Sequence, residues 1–131
     1  MKHMPELLLI RGLPGSGKTT MAKALTTHTH LEADMFFTDA NGVYHYDRTK
    51  VGEAHDWCKA EVNKALKRGE DVVVSNTFTR VNELKQYLVI ASLNDARFSV
   101  IEATGDWPNT HGVPDEVIIN MRKRWEPWEQ S

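Results

Sequence analysis

The chain has 131 residues, 40% of them hydrophobic and 26% charged, with a formal net charge of −2. That length predicts one domain over residues 1–131 with a single buried core and an ordinary soluble composition. Excluded are a global basic field, an apolar span of the ~20 residues a bilayer requires and, with Cys58 the only cysteine, any intrachain disulfide or cysteine-rich zinc site; no secretory leader is expected, and the expected compartment is the cytoplasm.

Strand and helix signals alternate along the chain. Glu6-Leu-Leu-Leu-Ile10 predicts a buried parallel strand over 6–11, and Met21, Ala24 and Leu25 share one face of a helix predicted over 18–27. His28 and His30 lie where that helix gives way to a short strand over 30–34, and both read as structural or solvated. A polar loop follows, turning at Asn41-Gly42, with Tyr44 and Tyr46 on a small hairpin or irregular arm. The second helix, over 49–68, has Val51, His55, Cys58, Val62 and Leu66 as its apolar stripe and Gly69 as its C′ residue. His55 reads as a core histidine. Trp57, off that stripe, either packs under the tyrosine arm, which is the expectation, or stacks on a nucleobase.

Strand three is Asp71-Val-Val-Val-Ser75. Helix three, over 80–93, takes Thr79 as its N-cap and Val81, Leu84, Leu88 and Ala91 as its stripe. Strand four covers 97–103. Pro114 opens a fourth helix carrying Ile118, Met121 and Trp125, and Trp125 and Trp128 are expected to pack it onto the sheet. Its Arg122-Lys123-Arg124 cluster reads as a solvated face rather than a nucleic-acid patch. The βαβαβαβα order predicts a three-layer α/β fold: a small, mainly parallel sheet with helices on both faces.

Between strand one and helix one lies Gly12-Leu-Pro-Gly15-Ser-Gly17-Lys18-Thr19, a complete G-x-x-x-x-G-K-[ST] phosphate-binding loop in its proper strand–helix context. Its glycines permit backbone angles that turn successive N–H groups inward, and the helix behind adds partial positive charge. Leu13, Pro14, Gly15, Ser16, Gly17, Lys18, Thr19 and Thr20 are therefore the expected cradle for ATP. Lys18 serves the β- and γ-phosphates, and the Thr19 hydroxyl serves Mg²⁺. The fold class is thus that of P-loop NTPases.

Ligands of open parallel sheets bind beyond the carboxyl ends of the strands. Those ends bring Asp34 after strand two, Ser75, Asn76 and Thr77 after strand three, and Glu102, Thr104 and Asp106 after strand four. The apolar strand Val72-Val-Val74 runs into Ser75-Asn76 without the carboxylate that motors carry there, and no Asn-Lys-x-Asp guanine reader is present. Asp34 suits a kinase, as base for a substrate hydroxyl and as a carboxylate for the Mg²⁺ shell. Asn76 and Thr77 would orient metal-bound water or the acceptor. Phe36, Phe37, Tyr44 and Tyr46 either line a substrate groove or seal the fold, and Asn109 and His111 lie near the place of an adenine or lid.

Arg11-Gly-Leu-Pro-Gly-Ser-Gly-Lys-Thr-Thr20, Glu32-Ala-Asp34-Met-Phe-Phe and Ser75-Asn-Thr77 resemble the P-loop module of 5′-hydroxyl polynucleotide kinases. Tyr44-His-Tyr46-Asp47, Ala54-His55-x-Trp57-Cys58, Asn76-Thr77-Phe78-Thr79 and His111-Gly-Val-Pro114 are similar to small ATP-binding domains of the Nedd-four-binding-protein-two-like group, also found in phages. The resemblance implies that Asp34 is a general base and that the acceptor is a nucleic-acid or nucleoside hydroxyl. Two departures stand out. Phe36-Phe37 replaces an arginine that contacts the scissile phosphate in those kinases, and the lid shrinks to Gly105–Gly112. Arg48, Arg80, Arg122 or Arg124 would have to supply the missing cation. A kinase thus stands beside two alternatives, a nucleotide-binding module or slow ATPase acting through a partner protein, and a small-molecule kinase.

Overall fold

The structure is a computed structural model that describes residues 4–105 and 113–129. Strand β1 (Glu6–Arg11) lies between β3 (Val72–Asn76) and β4 (Arg97–Glu102), and β2 (Thr29–Leu31) flanks β3, giving the order β2-β3-β1-β4 with every pairing parallel. Side chains alternate across such strands, so one sequence of leucines and valines feeds two cores. Leu7, Leu9, Val72 and Val74 face helices α2 (Val51–Lys67) and α3 (Val81–Leu93), while Leu8, Ile10 and Val73 face α1 (Lys18–Ala24). The chain winds one way from β1 to β2 and the other way through β3 to β4. Right-handed crossovers then put α1 on one face and α2 and α3 on the other. The reversal falls between β1 and β3, and their carboxyl ends open the crevice where the phosphate loop sits. The three-layer α/β expectation holds.

Several boundaries move for local reasons. Helix α1 stops at Ala24 rather than near residue 27, because Leu25 leaves helical geometry (φ −88°, ψ 76°) and β-branched Thr26 and Thr27 follow. Strand β2 ends at Leu31, so Asp34 falls in a 3-10 turn, Ala33–Phe37. Helix α2 closes as expected. Gly69 takes φ 81°, its N–H donates to the Leu66 carbonyl at 2.9 Å, and the Glu70 N–H donates to that of Ala65 at 3.1 Å. Its buried face, however, is Ala54, Cys58, Val62, Ala65 and Leu66, and His55 is exposed rather than in the core. One position is about 100° of helix rotation, enough to carry a side chain from core to solvent. In α3 the same effect buries Tyr87 in place of Leu88, which is 40% exposed.

The expected N-cap of α3 is also corrected. Thr79 does not cap; its hydroxyl accepts from Arg124 Nε at 3.2 Å. Glu126, far along the chain, instead accepts the Val81 N–H at 2.8 Å, and its own N–H donates to the Thr79 carbonyl at 2.7 Å. The last helix, α4 (Asp115–Lys123), buries no residue, and Arg122, Lys123 and Arg124 are exposed. The segment after it does the packing: Trp128 meets Phe98 edge-on at 6.1 Å, and Trp125 lies over the Arg11 guanidinium at 3.9 Å. Among the described residues no helix is long and apolar enough to cross a membrane.

Candidate active site

The loop that leaves β1 is shaped by its glycines. Gly15 (φ 85°) and Gly17 (φ 90°) are left-handed, which a side chain resists, and Gly17 leads straight into α1 as its N-terminal cap. At Gly12 the constraint is space: an added Cβ would stand 2.2 Å from Ser16 Oγ and 3.1 Å from the Ala103 carbonyl. Ser16 itself is buried, and among the described residues its hydroxyl finds no hydrogen-bond partner. A buried orphan hydroxyl is costly unless a ligand satisfies it. Burial pushes the Lys18 pKa down, while Glu32 and Asp34 nearby counter that and favour its charge. A close-packed glycine loop, an unpaired hydroxyl and a flanked ammonium fit a polyphosphate.

Beside the loop stands a carboxylate that the motif reading did not single out. Glu32 Oε1 accepts hydrogen bonds from Thr19 Oγ1 at 2.7 Å and Ser75 Oγ at 3.0 Å, and it lies 3.0 Å from His30 Nε2. Burial alone would raise its carboxyl, but the bonds from His30, Thr19 and Ser75 outweigh that and hold it at about 2. His30 is accordingly structural, as expected, but its partner belongs to the site. So is His28, whose Nε2 lies 2.8 Å from Glu6 Oε2.

Asp34, in the 3-10 turn, accepts the Tyr44 hydroxyl on Oδ1 at 2.5 Å. Tyr44 rides on the predicted hairpin arm, which is closed by a bridge to Thr38 and by the Asp39 N–H donating to the Val43 carbonyl at 2.9 Å. The aromatic rings form a chain that passes through buried Phe37 and ends at exposed Tyr46. Trp57 meets Phe36 at 6.1 Å, Phe36 meets Phe37 at 5.4 Å, and Phe37 meets Tyr46 at 5.2 Å. Trp57 therefore supports the base of the arm. An open cleft of about 720 Å³ lies along it, lined by Phe36, Phe37, Tyr46, Arg48 and Lys50 among others.

Lys18, Thr19, Glu32, Asp34 and Ser75 thus gather at the ends of β1, β2 and β3. Asn76 is adjacent, its Oδ1 accepting the Ala33 N–H at 3.0 Å and fixing the start of the turn that carries Asp34. Thr77 is half-buried beside it, Leu13 and Pro14 form the outer turn of the loop, and Thr20 is exposed on α1. Glu102 and Thr104 do not join; both are exposed at the β4 end. Asp106, Asn109 and His111 lie outside the described residues. Among the described residues no three His, Cys, Asp or Glu side chains form a metal cage. Mg²⁺ in phosphate loops needs none, because phosphate oxygens and water complete its shell. The Thr19 hydroxyl beside a charged carboxylate is a hard-oxygen donor set that fits this ion.

Comparison with known proteins agrees with this architecture. The sequence profile of a family described as "AAA domain" matches residues 7–111. Human NEDD4-binding protein 2 is 30% identical over 134 residues, covering 92% of this chain. A protein of Autographa californica nuclear polyhedrosis virus, provisionally described as a bifunctional polynucleotide kinase/RNA ligase, is 30% identical over 106 residues and covers 71%. The chain spans only 8% of the human protein and 15% of the viral one. Among solved structures, the Pnkp1/Rnl/Hen1 RNA repair complex contains a chain that superposes with a TM-score of 0.62 at 23% identity, over 95% of this chain and 39% of that one.

Proposed function

This chain belongs to the AAA domain family and has a P-loop kinase-like fold, and from that premise we propose that it binds ATP with Mg²⁺ and transfers the γ-phosphate to a hydroxyl in the cytoplasm. The observation that carries this reading is the convergence of the Lys18 ammonium, the Thr19 hydroxyl and the Asp34 carboxylate around one glycine-built loop. Leu13, Pro14, Gly15, Ser16, Gly17 and Thr20 complete the cradle. Lys18 stabilises charge on the β- and γ-phosphates, and Thr19 offers its oxygen to the metal. When bound, the magnesium ion draws charge from the phosphate oxygens. Asp34 removes the acceptor's proton as that oxygen attacks phosphorus in line and ADP leaves. The Tyr44 hydrogen bond orients Asp34 for this role, while Asn76 holds the turn beneath it. The aromatic cleft with Arg48 and Lys50 suits a nucleic-acid end, since bases stack on rings and phosphates pair with cations. The description of the viral relative as a polynucleotide kinase/RNA ligase supports the same acceptor class.

The test is transfer of labelled γ-phosphate to 5′-hydroxyl DNA, RNA and nucleosides. Label is expected in a 5′-hydroxyl polynucleotide. Lys18→Ala is expected to abolish transfer and weaken ATP binding at least about tenfold; Asp34→Asn is expected to cut transfer about 10²–10⁴-fold and leave ATP binding intact. Full activity in Asp34→Asn removes the proposed base. A second reading, a nucleotide-binding module or slow ATPase acting through a partner protein, is favoured by where two arginines are spent. Arg124 donates to Thr79, and Arg11 is buried against Phe78 and Trp125. Tight ATP binding with no labelled acceptor supports that reading.

A further inference from the structure

In P-loop proteins the triphosphate-bound cation is held by the loop Ser or Thr and ordered by a carboxylate, usually at the end of a neighbouring strand. Here β3 ends in Ser75 and Asn76, neither of them charged. Yet a carboxylate stands at that place. The β2–β3 register pairs Leu31 with Val74, so the next residues along the two strands, Glu32 and Ser75, are neighbours. Ser75 Oγ and Thr19 Oγ1 both donate to the same oxygen, Glu32 Oε1, at 3.0 and 2.7 Å. One anion therefore joins the strand end to the metal-binding hydroxyl of the loop. Because the Thr19 proton points to Glu32, the lone pairs of its oxygen are turned away from Glu32.

We infer that Glu32 is the residue that positions the cation in this chain, supplying from β2 the negative charge that the end of β3 lacks. Its side chain is 14% exposed, and a buried carboxylate is retained at a cost unless it meets donors or cations. Thr19, Ser75 and His30 supply the donors, and Lys18 is the nearby cation. Asp34 is spared this role and remains with Tyr44. This inference rests on the nucleotide-site reading above.

The experiment uses the whole chain and three samples: unsubstituted, Glu32→Gln, and the relocated pair Glu32→Ser with Ser75→Asp. Fluorescent ATP is titrated in EDTA, and Mn²⁺ binding in the presence of ATP is followed by electron paramagnetic resonance. Glu32→Gln is expected to bind metal-free ATP at least as well as the unsubstituted chain, because an anion beside the triphosphate has gone. It is expected to lose about 10–100-fold in Mn²⁺ affinity, the usual effect of removing a group that orients a ligand. The relocated pair is expected to recover most of that loss. Unchanged Mn²⁺ affinity in Glu32→Gln overturns the inference, as does a parallel fall in metal-free ATP affinity and melting temperature, which marks a purely structural role. Failure of the relocated pair to recover Mn²⁺ affinity while binding metal-free ATP normally also overturns it. If the unsubstituted chain binds no ATP in either condition, the nucleotide reading falls, and this inference with it.

Discussion

On one face of the sheet α2 and α3 bury Ala54, Cys58, Val62, Leu66, Leu84 and Tyr87 against Leu7, Leu9, Val72 and Val74. On the other, α1 is seven residues long, and only its Ala22 and the following Leu25 pack on the strands as part of the apolar cluster. The first face is mainly apolar and holds most of the buried hydrophobic side chains, with the Tyr87 hydroxyl buried among them. The second has a small apolar patch and ends in a loop with a buried unpaired hydroxyl. Each fully buried aliphatic side chain is worth about 1.5–3 kcal/mol, so folding free energy concentrates on the α2/α3 side. The face that binds is built from backbone angles and polar groups that contribute little to folding on their own. Folding stability and triphosphate affinity thus rest largely on different residues, while the turn that carries Asp34 is anchored in the α2/α3 layer through Ala33 and Phe37.

Substitutions test that division. The largest effect is expected from Leu84→Ala, fully buried under α3: a loss of about 2–5 kcal/mol in urea unfolding, with ATP affinity of the folded protein unchanged. A matching fall in affinity would break the division. Gly12→Ala works from the other side. Its Cβ collides with Ser16, so loop displacement is expected to cost about 1–3 kcal/mol and to remove the heat of ATP binding in calorimetry. Smallest is Glu126→Ala, which frees the Val81 N–H at the start of α3. About 1 kcal/mol should be lost on thermal melting, with ATP binding unaffected.

What the sequence made legible follows the range of the interactions. Strands β1, β3 and β4, the hairpin arm and the Gly69 closure are set by neighbours in the chain, and they fall within a residue of where period and turn chemistry put them, whereas β2 ends three residues early. The phosphate loop is similarly local. Glu32 escaped because its importance depends on pairing between β2 and β3, strands 43 residues apart at the Leu31–Val74 pair. Asp34 looked like the strand-end carboxylate, but the 3-10 turn after Leu31 moves it off the strand toward the arm. Thr79 looked like a cap, and the actual acceptor comes from Glu126, 45 residues beyond Val81. The helix stripes failed by single positions at His55 and Leu88, where an alanine and a tyrosine fit the layer better.

Arg11 is 2% exposed, and its Nε and Nη2 donate to the Phe78 carbonyl at 3.1 and 2.6 Å while Trp125 covers its face. It is also the residue immediately before the phosphate loop. One guanidinium therefore clasps the start of the loop, the bend at left-handed Phe78 and the trailing segment together. Opening any of the three costs the guanidinium its hydrogen bonds or its aromatic cover, so their backbone amides should exchange with deuterium as a single cooperative unit. Nucleotide loaded into the loop would then slow exchange at residues 125–129, a remote gauge of occupancy readable by mass spectrometry.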